Sequence, residues 1–443
     1  MGLLGDRLSL KFKLLSQIFS SLESRNYRLY FTGQGISLIG SWMQTIAMSW
    51  LVYRLTGSVF LLGVVGFTSQ IPSFILSPFA GVLTDRFNRH HIMVLTQVLF
   101  MVQALLLSIL VLTNVIAVWH IIVLSLVFGF ISAFDAPARQ SLVVDLIDKP
   151  ENLGNAIALN SAMFNGARLI GPAIAGLLIA AVGEGVCFLI NAISYIAVIT
   201  SLLRMQIQLT VKKQTLENIG KELKDGLQYT FGFYPIKTLL IILGIVSLAG
   251  LPYVALMPAY VGKMLKGDSH TLGFLMSAAG AGAFTAALYL ASRKTVIGLG
   301  KIIAINTLVF GIGLIGISLS TTLWLSLIMM SFLGFSMIAS IASINTLIQT
   351  LTDEDKRGRV MSFYAMALMG MNPIGNLCAG SIASVIGLSL TLLFSGIIVI
   401  VAGIWFESIR PTLRKYTRPV YLKKGIITEV AVGTQTTDTL QKN

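Results

Sequence analysis

Residues 388–406 read LSLTLLFSGIIVIVAGIWF, without a single Asp, Glu, Lys or Arg. About 20 apolar residues are what an α-helix needs to cross the hydrocarbon of a bilayer, and within that layer every backbone N–H and C=O must be satisfied inside the segment. Such runs recur down the chain. Only 11% of its 443 residues are charged and 55% are hydrophobic, whereas a soluble domain carries about 25% charged residues. Soluble cores cannot hide this many charge-free runs, so the sequence predicts an all-α membrane protein. Spans are expected at roughly 27–54, 58–84, 91–113, 118–144, 153–182 and 184–204, then at roughly 236–262, 270–292, 299–319, 322–350, 359–386 and 388–408. This predicts 12 transmembrane helices in two bundles, 27–204 and 236–408. Around them lie an N-terminal amphipathic segment (1–26), a linker (205–235) and a polar, basic tail (409–443).

The net charge of +14 raises the possibility of nucleic-acid binding, but its distribution argues for topology. Basic residues gather in the N-terminal segment (Arg7, Lys11, Lys13, Arg25, Arg28), at Arg86 and Arg89, between Arg204 and Lys237, at Arg293 and Lys294, and after Arg410. These are alternate connections plus both ends. By the positive-inside bias, both termini and the linker are cytoplasmic; Lys263 and Lys266 are the exception on the opposite side. The basic charge therefore records topology in a lipid bilayer and predicts no nucleic-acid partner.

Residues 8–22 mix Lys into an apolar pattern, which suits an interfacial helix better than a cleavable signal. The linker repeats the theme, since Leu216, Ile219, Leu223 and Leu227 form one stripe of an amphipathic helix. Cys187 and Cys378 fall in opposite bundles, within predicted spans, and read as packing residues rather than a disulfide or metal site. No nucleotide-binding loop, zinc-protease helix or serine-hydrolase elbow occurs in the sequence. The expectation is a chain that is no enzyme and carries no cofactor or metal.

The two bundles look duplicated. A shift of 204 positions superposes Gly154, Gly171, Gly176 and Gly183 on Gly358, Gly375, Gly380 and Gly387. Six-span pseudo-repeats with a substrate site between them near the bilayer midplane are a known transporter architecture.

The stretch GVLTDRFNRHH at 81–91 crowds a carboxylate and basic groups between two apolar runs. It resembles the loop between spans 2 and 3 of the major facilitator superfamily, G-x-x-x-D-[RK]-x-G-[RK]-[RK]. Gly81, Asp85, Arg86 and Arg89 match; Asn88 stands at the second glycine, which it can imitate in the left-handed conformation, and His90 replaces the last base. FDAPARQSLVVDLI at 134–147, NSAMFNGARLIGPAIAGLLIAAVG at 160–183 and CFLINAISYIAVI at 187–199 are similar to the exporter branch that contains the enterobactin exporter and macrolide efflux pumps. The resemblance implies the major facilitator fold. It also implies a conformational latch of Gly81, Asp85, Arg86, Arg89, Asp135 and Arg139, the last two being four apart and so able to pair on one helix. Ordinary interfacial charge is the competing reading.

Arg168 falls about ten residues into the hydrocarbon, where a charge costs roughly 2.5 to 3.5 kcal/mol unless it meets water or a partner. It is expected to face the interior, beside Asn165. The following GPAIAG resembles the antiporter pattern G-P-x-x-G-G but has one residue too many and lacks the doubled glycine. In span 1, Gln34, Ser37, Ser41, Gln44, Thr45 and Met48 share about a third of the helix circumference, which predicts one wet face. Tyr253 and Met257 in span 7, with Tyr364 and Asn372 in span 11, are expected to complete an adaptable cavity.

The expected function is secondary transport of an amphiphilic small molecule (a siderophore, a drug or a secondary metabolite) by a monomer that alternates access. Export by proton antiport is expected, with Asp135 and Arg168 as coupling residues and protons as co-substrate. Uptake of a siderophore-like substrate and lysolipid flipping are the alternatives.

Overall fold

The computed structural model describes residues 20–86, 88–206, 227–293 and 295–427, and within them the chain is a bundle of long helices. Span 1 is Arg25–Thr56, span 2 is Val59–Thr68 with Ile71–Arg86, span 3 is Arg89–Leu112 and span 4 is Val118–Asp145. Spans 5 and 6 are Leu153–Val182 and Glu184–Leu203. Span 7 covers Tyr234–Leu265, followed by span 8 (Ser269–Ala291), span 9 (Leu299–Leu319) and span 10 (Leu323–Leu351). Span 11 runs as Arg357–Ala365, Met366–Gly370 and Met371–Ile386, and span 12 is Leu388–Lys423. Among the described residues, 11 helices are individually long and apolar enough to cross a membrane. Span 11 is the twelfth crossing; its breaks divide it into shorter pieces.

The breaks sit just ahead of prolines. Pro72, Pro252 and Pro373 each lack the N–H that would continue the i→i−4 ladder. Span 2 responds with a turn at Ser69 and Gln70; spans 7 and 11 widen into π-helical turns at Val246–Gly250 and Met366–Gly370. In span 7, Leu251 N–H accordingly donates to the Val246 carbonyl at 3.0 Å, five residues back. Span 12 extends the expected membrane crossing at 388–408 by several turns, to Lys423.

Spans 1–6 pack mainly with one another, as do spans 7–12, and the halves meet through spans 5 and 8 and through spans 2 and 11. Twelve crossings return the chain to the side it started from, so the first and last described residues lie at one end of the bundle. Several close approaches between the halves lie toward the other end, and Gly370 of span 11 also meets the Phe74 ring of span 2 nearer the middle. A Cβ placed on Gly176 would stand 2.8 Å from the Ser269 carbonyl oxygen and 2.9 Å from the Gly273 Cα. In the related position, one on Gly380 would stand 2.8 Å from the Gly63 Cα. Tyr53 closes on Gly262 at the same end. At the terminal end the faces that would meet are open: Ala158, Ser161 and Ala162 of span 5 and Met366 and Met369 of span 11 are exposed.

The duplicated glycines thus have matched environments. Gly183 and Gly387 both carry positive φ, 83° and 90°, where the chain turns between spans 5 and 6 and between spans 11 and 12. Gly154 and Gly358 face open space. The amphipathic stripe at 216–227 and the N-terminal segment lie almost wholly outside the described residues.

A cavity between the halves and a chamber beside it

Most of the polar face expected on span 1 points inward because the helix must bury it: Gln34, Ser37 and Gln44 are buried, and in lipid these groups would have no partner. Ser41, Gln44, Thr45 and Met48 line a cavity of about 590 Å³ between the halves, with Arg168, Gln70 and Asn372. Its apolar walls include Trp42, Phe164, Leu251, Val254, Met276 and Met337.

Arg168 is held by soft contacts only. Its guanidinium carbon lies 5.5 Å from the centroid of the Trp42 ring, a cation–π distance, and Nη2 stands 3.8 Å from Met337 Sδ across the divide between the halves. Among the described residues it forms no salt bridge. A guanidinium cannot shed its proton, so it offers a permanent cation to whatever fills the cavity.

The opposite wall is a chain of amides. Asn191 Nδ2 donates to Gln44 Oε1 at 2.7 Å, Gln44 Nε2 donates to Gln103 Oε1 at 2.9 Å, and Gln103 Nε2 donates to the Leu124 carbonyl at 3.3 Å. Spans 1, 3, 4 and 6 are tied by this relay. Across the halves, Asn372 Nδ2 donates to Gln70 Oε1 at 2.9 Å, leaving Asn372 Oδ1 buried without a partner.

A second chamber of about 270 Å³ opens within the first half, lined by Gln34, Ser37, Gln97, Ser132, Asp135, Arg139 and Tyr195 among others. It shares Ser41, Trp42, Thr45, Phe128 and Phe164 with the main cavity. The expected i,i+4 pair is formed here: Arg139 donates to Asp135 Oδ2, while Thr96 Oγ1 and Gln97 Nε2 donate to Oδ1 at 3.1 and 2.7 Å.

Six residues expected in the cavity do not line it, and two of these, Gln34 and Ser37, line the side chamber instead. Asn165 is buried against its own helix, its Nδ2 donating to the Ser161 carbonyl at 2.9 Å. On span 7 the face of Tyr253, Met257 and Tyr260 packs inside the second half, where Tyr260 Oη bonds Ser326 Oγ at 2.6 Å and Tyr253 meets the Phe310 ring edge. Leu251, Val254 and Ala255 face the cavity instead. Both faces of this span are apolar, so amphipathicity gave no basis for choosing between them. Tyr364 likewise packs in the core of the second half, 8% exposed.

The latch residues divide. Gly81 and the side chains of Asp85 and Arg86 lie where the structure describes no surroundings. Arg89 pairs with Asp145 at 3.1 Å, joining the start of span 3 to the end of span 4. Asn88 does not imitate a left-handed glycine: its φ is −65°, and its side chain caps span 3 by accepting from the N–H groups of His90 and His91 at 3.0 and 3.4 Å. A residue with a good capping oxygen gains more at this helix start than from a strained turn. Gln97, Gln103 and Asn191 were not among the expected residues, although amides inside otherwise apolar spans 3 and 6 were an available signal. Nor was Arg54, whose Nε and Nη2 donate to the two Glu184 oxygens at 2.7 and 3.1 Å, pinning span 1 to span 6 at the far end.

The profile of a family described as transmembrane secretion effector matches residues 16–418. The staphyloferrin A transporter of Staphylococcus aureus is 26% identical over 389 residues, covering 87% of this chain and 97% of that one. The multidrug efflux pump Tap of Mycolicibacterium fortuitum is 24% identical over 381 residues, covering 82% and 91%. Among solved structures, an inward-facing bacterial homologue of the iron transporter ferroportin superposes with a TM-score of 0.66 at 16% identity, over 87% of this chain and 98% of that one.

Proposed function

This chain belongs to the transmembrane secretion effector family of major facilitator transporters, and from that premise we propose that it exports an amphiphilic, anionic small molecule by alternating access. The observation that carries the reading is Arg168, a cation with no carboxylate partner among the described residues, aimed into the cavity between the halves. Aromatic and Met walls suit a varied apolar body, and Gln44, Asn372 and the neighbouring amides supply hydrogen bonds to its polar end. A siderophore, a macrolide-like drug or another secondary metabolite fits this description. A staphyloferrin A transporter and a multidrug efflux pump among the relatives support a small-molecule cargo.

Transport is proposed to run in the bacterial inner membrane as proton antiport, with the termini in the cytoplasm. Outward movement of an anion and inward movement of a proton both carry charge in the direction an inside-negative potential favours, worth about 2.3 kcal/mol per elementary charge per 100 mV. On this orientation the glycine contacts seal the outer side and the described form is open inward. Asp135 is the proposed proton-exchanging carboxylate, and Gly81, Asp85, Arg86 and Arg89 form the proposed latch.

The test is a solute screen in proteoliposomes under an imposed pH gradient, with anionic, cationic and zwitterionic amphiphiles, a ferric siderophore and a lysophospholipid. Gradient-dependent accumulation of an anion in inside-out vesicles supports export; accumulation only in right-side-out vesicles reverses the direction. Selective movement of cations overturns the role given to Arg168. For the latch, Asp85→Asn is expected to shift the inward-to-outward population by about ten-fold or more, the worth of one charge-assisted hydrogen bond. Distance distributions between labels across the terminal end report it, and an unchanged distribution returns these charges to plain topology signals.

A further inference from the structure

The small chamber contains more hydrogen-bonding capacity than it uses. Gln34 Oε1 and Ser37 Oγ line it, both on residues at most 3% exposed, and neither has a partner among the described residues. One turn earlier on span 1, the hydroxyl of fully buried Tyr30 is also unpartnered. Buried polar atoms without partners are uncommon in native proteins and call for an explanation. All three can accept a hydrogen bond, and the one cationic donor lining the chamber is Arg139.

In the described form Arg139 is occupied by Asp135, whose two oxygens together accept from Arg139, Thr96 and Gln97. That arrangement suits a charged carboxylate. If a proton arrives on Asp135 Oδ2, the guanidinium loses its counter-ion inside a largely buried site, which is strongly unfavourable unless other acceptors take its N–H groups. Such acceptors are already there.

We propose that the chamber is a proton-binding site with two seats for Arg139: the Asp135 carboxylate when it is charged, and Gln34 Oε1 with Ser37 Oγ when Asp135 holds a proton. This rests on reading the chain as a secondary transporter. The proton comes from water in the main cavity, through the shared wall of Ser41 and Thr45, and bonds to Oδ2 as Arg139 withdraws. Thr96 and Gln97 keep their bonds to Oδ1, and the chamber's net charge rises by one. Arg139 moves its hydrogen bonds from span 4 to span 1, the helix whose next turns carry Ser41, Gln44 and Thr45 into the substrate cavity. Around the pair, among the described residues, the other titratable groups are Tyr30 of span 1 and Tyr195 of span 6, both within electrostatic reach of the two charges. From span 3 come neutral Thr96 and Gln97; Phe164 of span 5 and Phe128 and Ser132 of span 4 complete the wall.

The test needs no transported solute. Infrared difference spectra of the purified full-length protein in liposomes are recorded between about pH 2.5 and pH 9, a range that spans ordinary carboxyl values and midpoints on either side of them. The wild type should gain a carboxylic-acid C=O band on acidification that Asp135→Asn lacks. The double variant Gln34→Leu/Ser37→Ala, which keeps the ion pair but removes the second seat, should titrate that band about one to two pH units lower, because only the protonated form loses hydrogen bonds to a charged group. Ser37→Ala alone should shift it in the same direction by less; it and Asp135→Asn, a near-isosteric change, guard against misfolding, checked by elution profile and helical circular dichroism. A band that survives Asp135→Asn, the absence of any such band, or an unmoved midpoint in the folded double variant overturns the proposal. The unmoved midpoint would mean the acceptors hold only water. These outcomes would withdraw Asp135 as the proton-exchanging carboxylate but leave solute export through the Arg168 cavity standing, just as an empty solute screen would leave the proton site standing.

Discussion

Spans 5 and 11 hold equivalent places in the two halves, 204 residues apart, and share their glycines. One is a single helix of 30 residues, and the other is interrupted by a π-helical turn at Met366–Gly370. The common frame serves contact: Gly176 meets Gly273 of the second half much as Gly380 meets Gly63 of the first. Position by position along that frame, however, the chemistry differs. Arg168 faces Trp42 and Met337, whereas its counterpart Asn372 bonds Gln70. The repeat keeps the glycines that let helices approach closely and differs at the residues that line the cavity. The charge therefore sits on one side of the cavity and the π-helical turns on the other, in spans 7 and 11.

Removing the asymmetric charge should have the largest effect. Arg168→Ala is expected to abolish flux while leaving membrane insertion near normal, because span 5 is apolar enough to insert without it; flux in proteoliposomes at matched protein amount is the readout. Wild-type flux in that variant would remove the central difference between the halves.

The shared glycines should give the next effect, and a symmetric one. Gly176→Ala and Gly380→Ala each force a Cβ against backbone of the opposite half, both at 2.8 Å. Overpacking of this kind costs about 1 to 3 kcal/mol, enough to shift the population by about ten-fold or more toward the form in which that end is parted. Distances between labels at Thr56 and Lys266 measure it. A large response at one pair and none at the other would show that the halves do not close together.

Asn372→Ala should matter less. It deletes one neutral hydrogen bond between the halves, worth about 0.5 to 1.5 kcal/mol, and is expected to change solute preference more than proton coupling. Complete uncoupling in that variant would transfer part of Arg168's proposed role to the second half. The smallest effect belongs to Gly154→Ala and Gly358→Ala, which meet nothing within 4 Å. Thermal melting should show them neutral or slightly stabilised, by about 0.4 to 1 kcal/mol, with flux unchanged; a strong loss would mean that these positions close against something in the opposite conformation.

Apolar runs made the membrane-length helices and the major facilitator fold legible in the sequence, because lipid demands internally bonded helices of fixed length. Span 1's polar face was legible for the same reason: a helix with one polar stripe in an apolar setting has only the interior to turn it toward. Arg168 could be assigned inward by cost alone. Which face of span 7 meets the cavity was decided by tertiary packing, since both faces are apolar and only Tyr260's hydrogen bonds inside the second half fix the rotation. The same holds for the amides of spans 3 and 6. Gln103 and Asn191 reveal their use only when Gln44 is brought between them. Periodicity names a face from the contrast along one helix, whereas a hydrogen-bond relay across four spans is a property of their mutual placement, which no single span encodes.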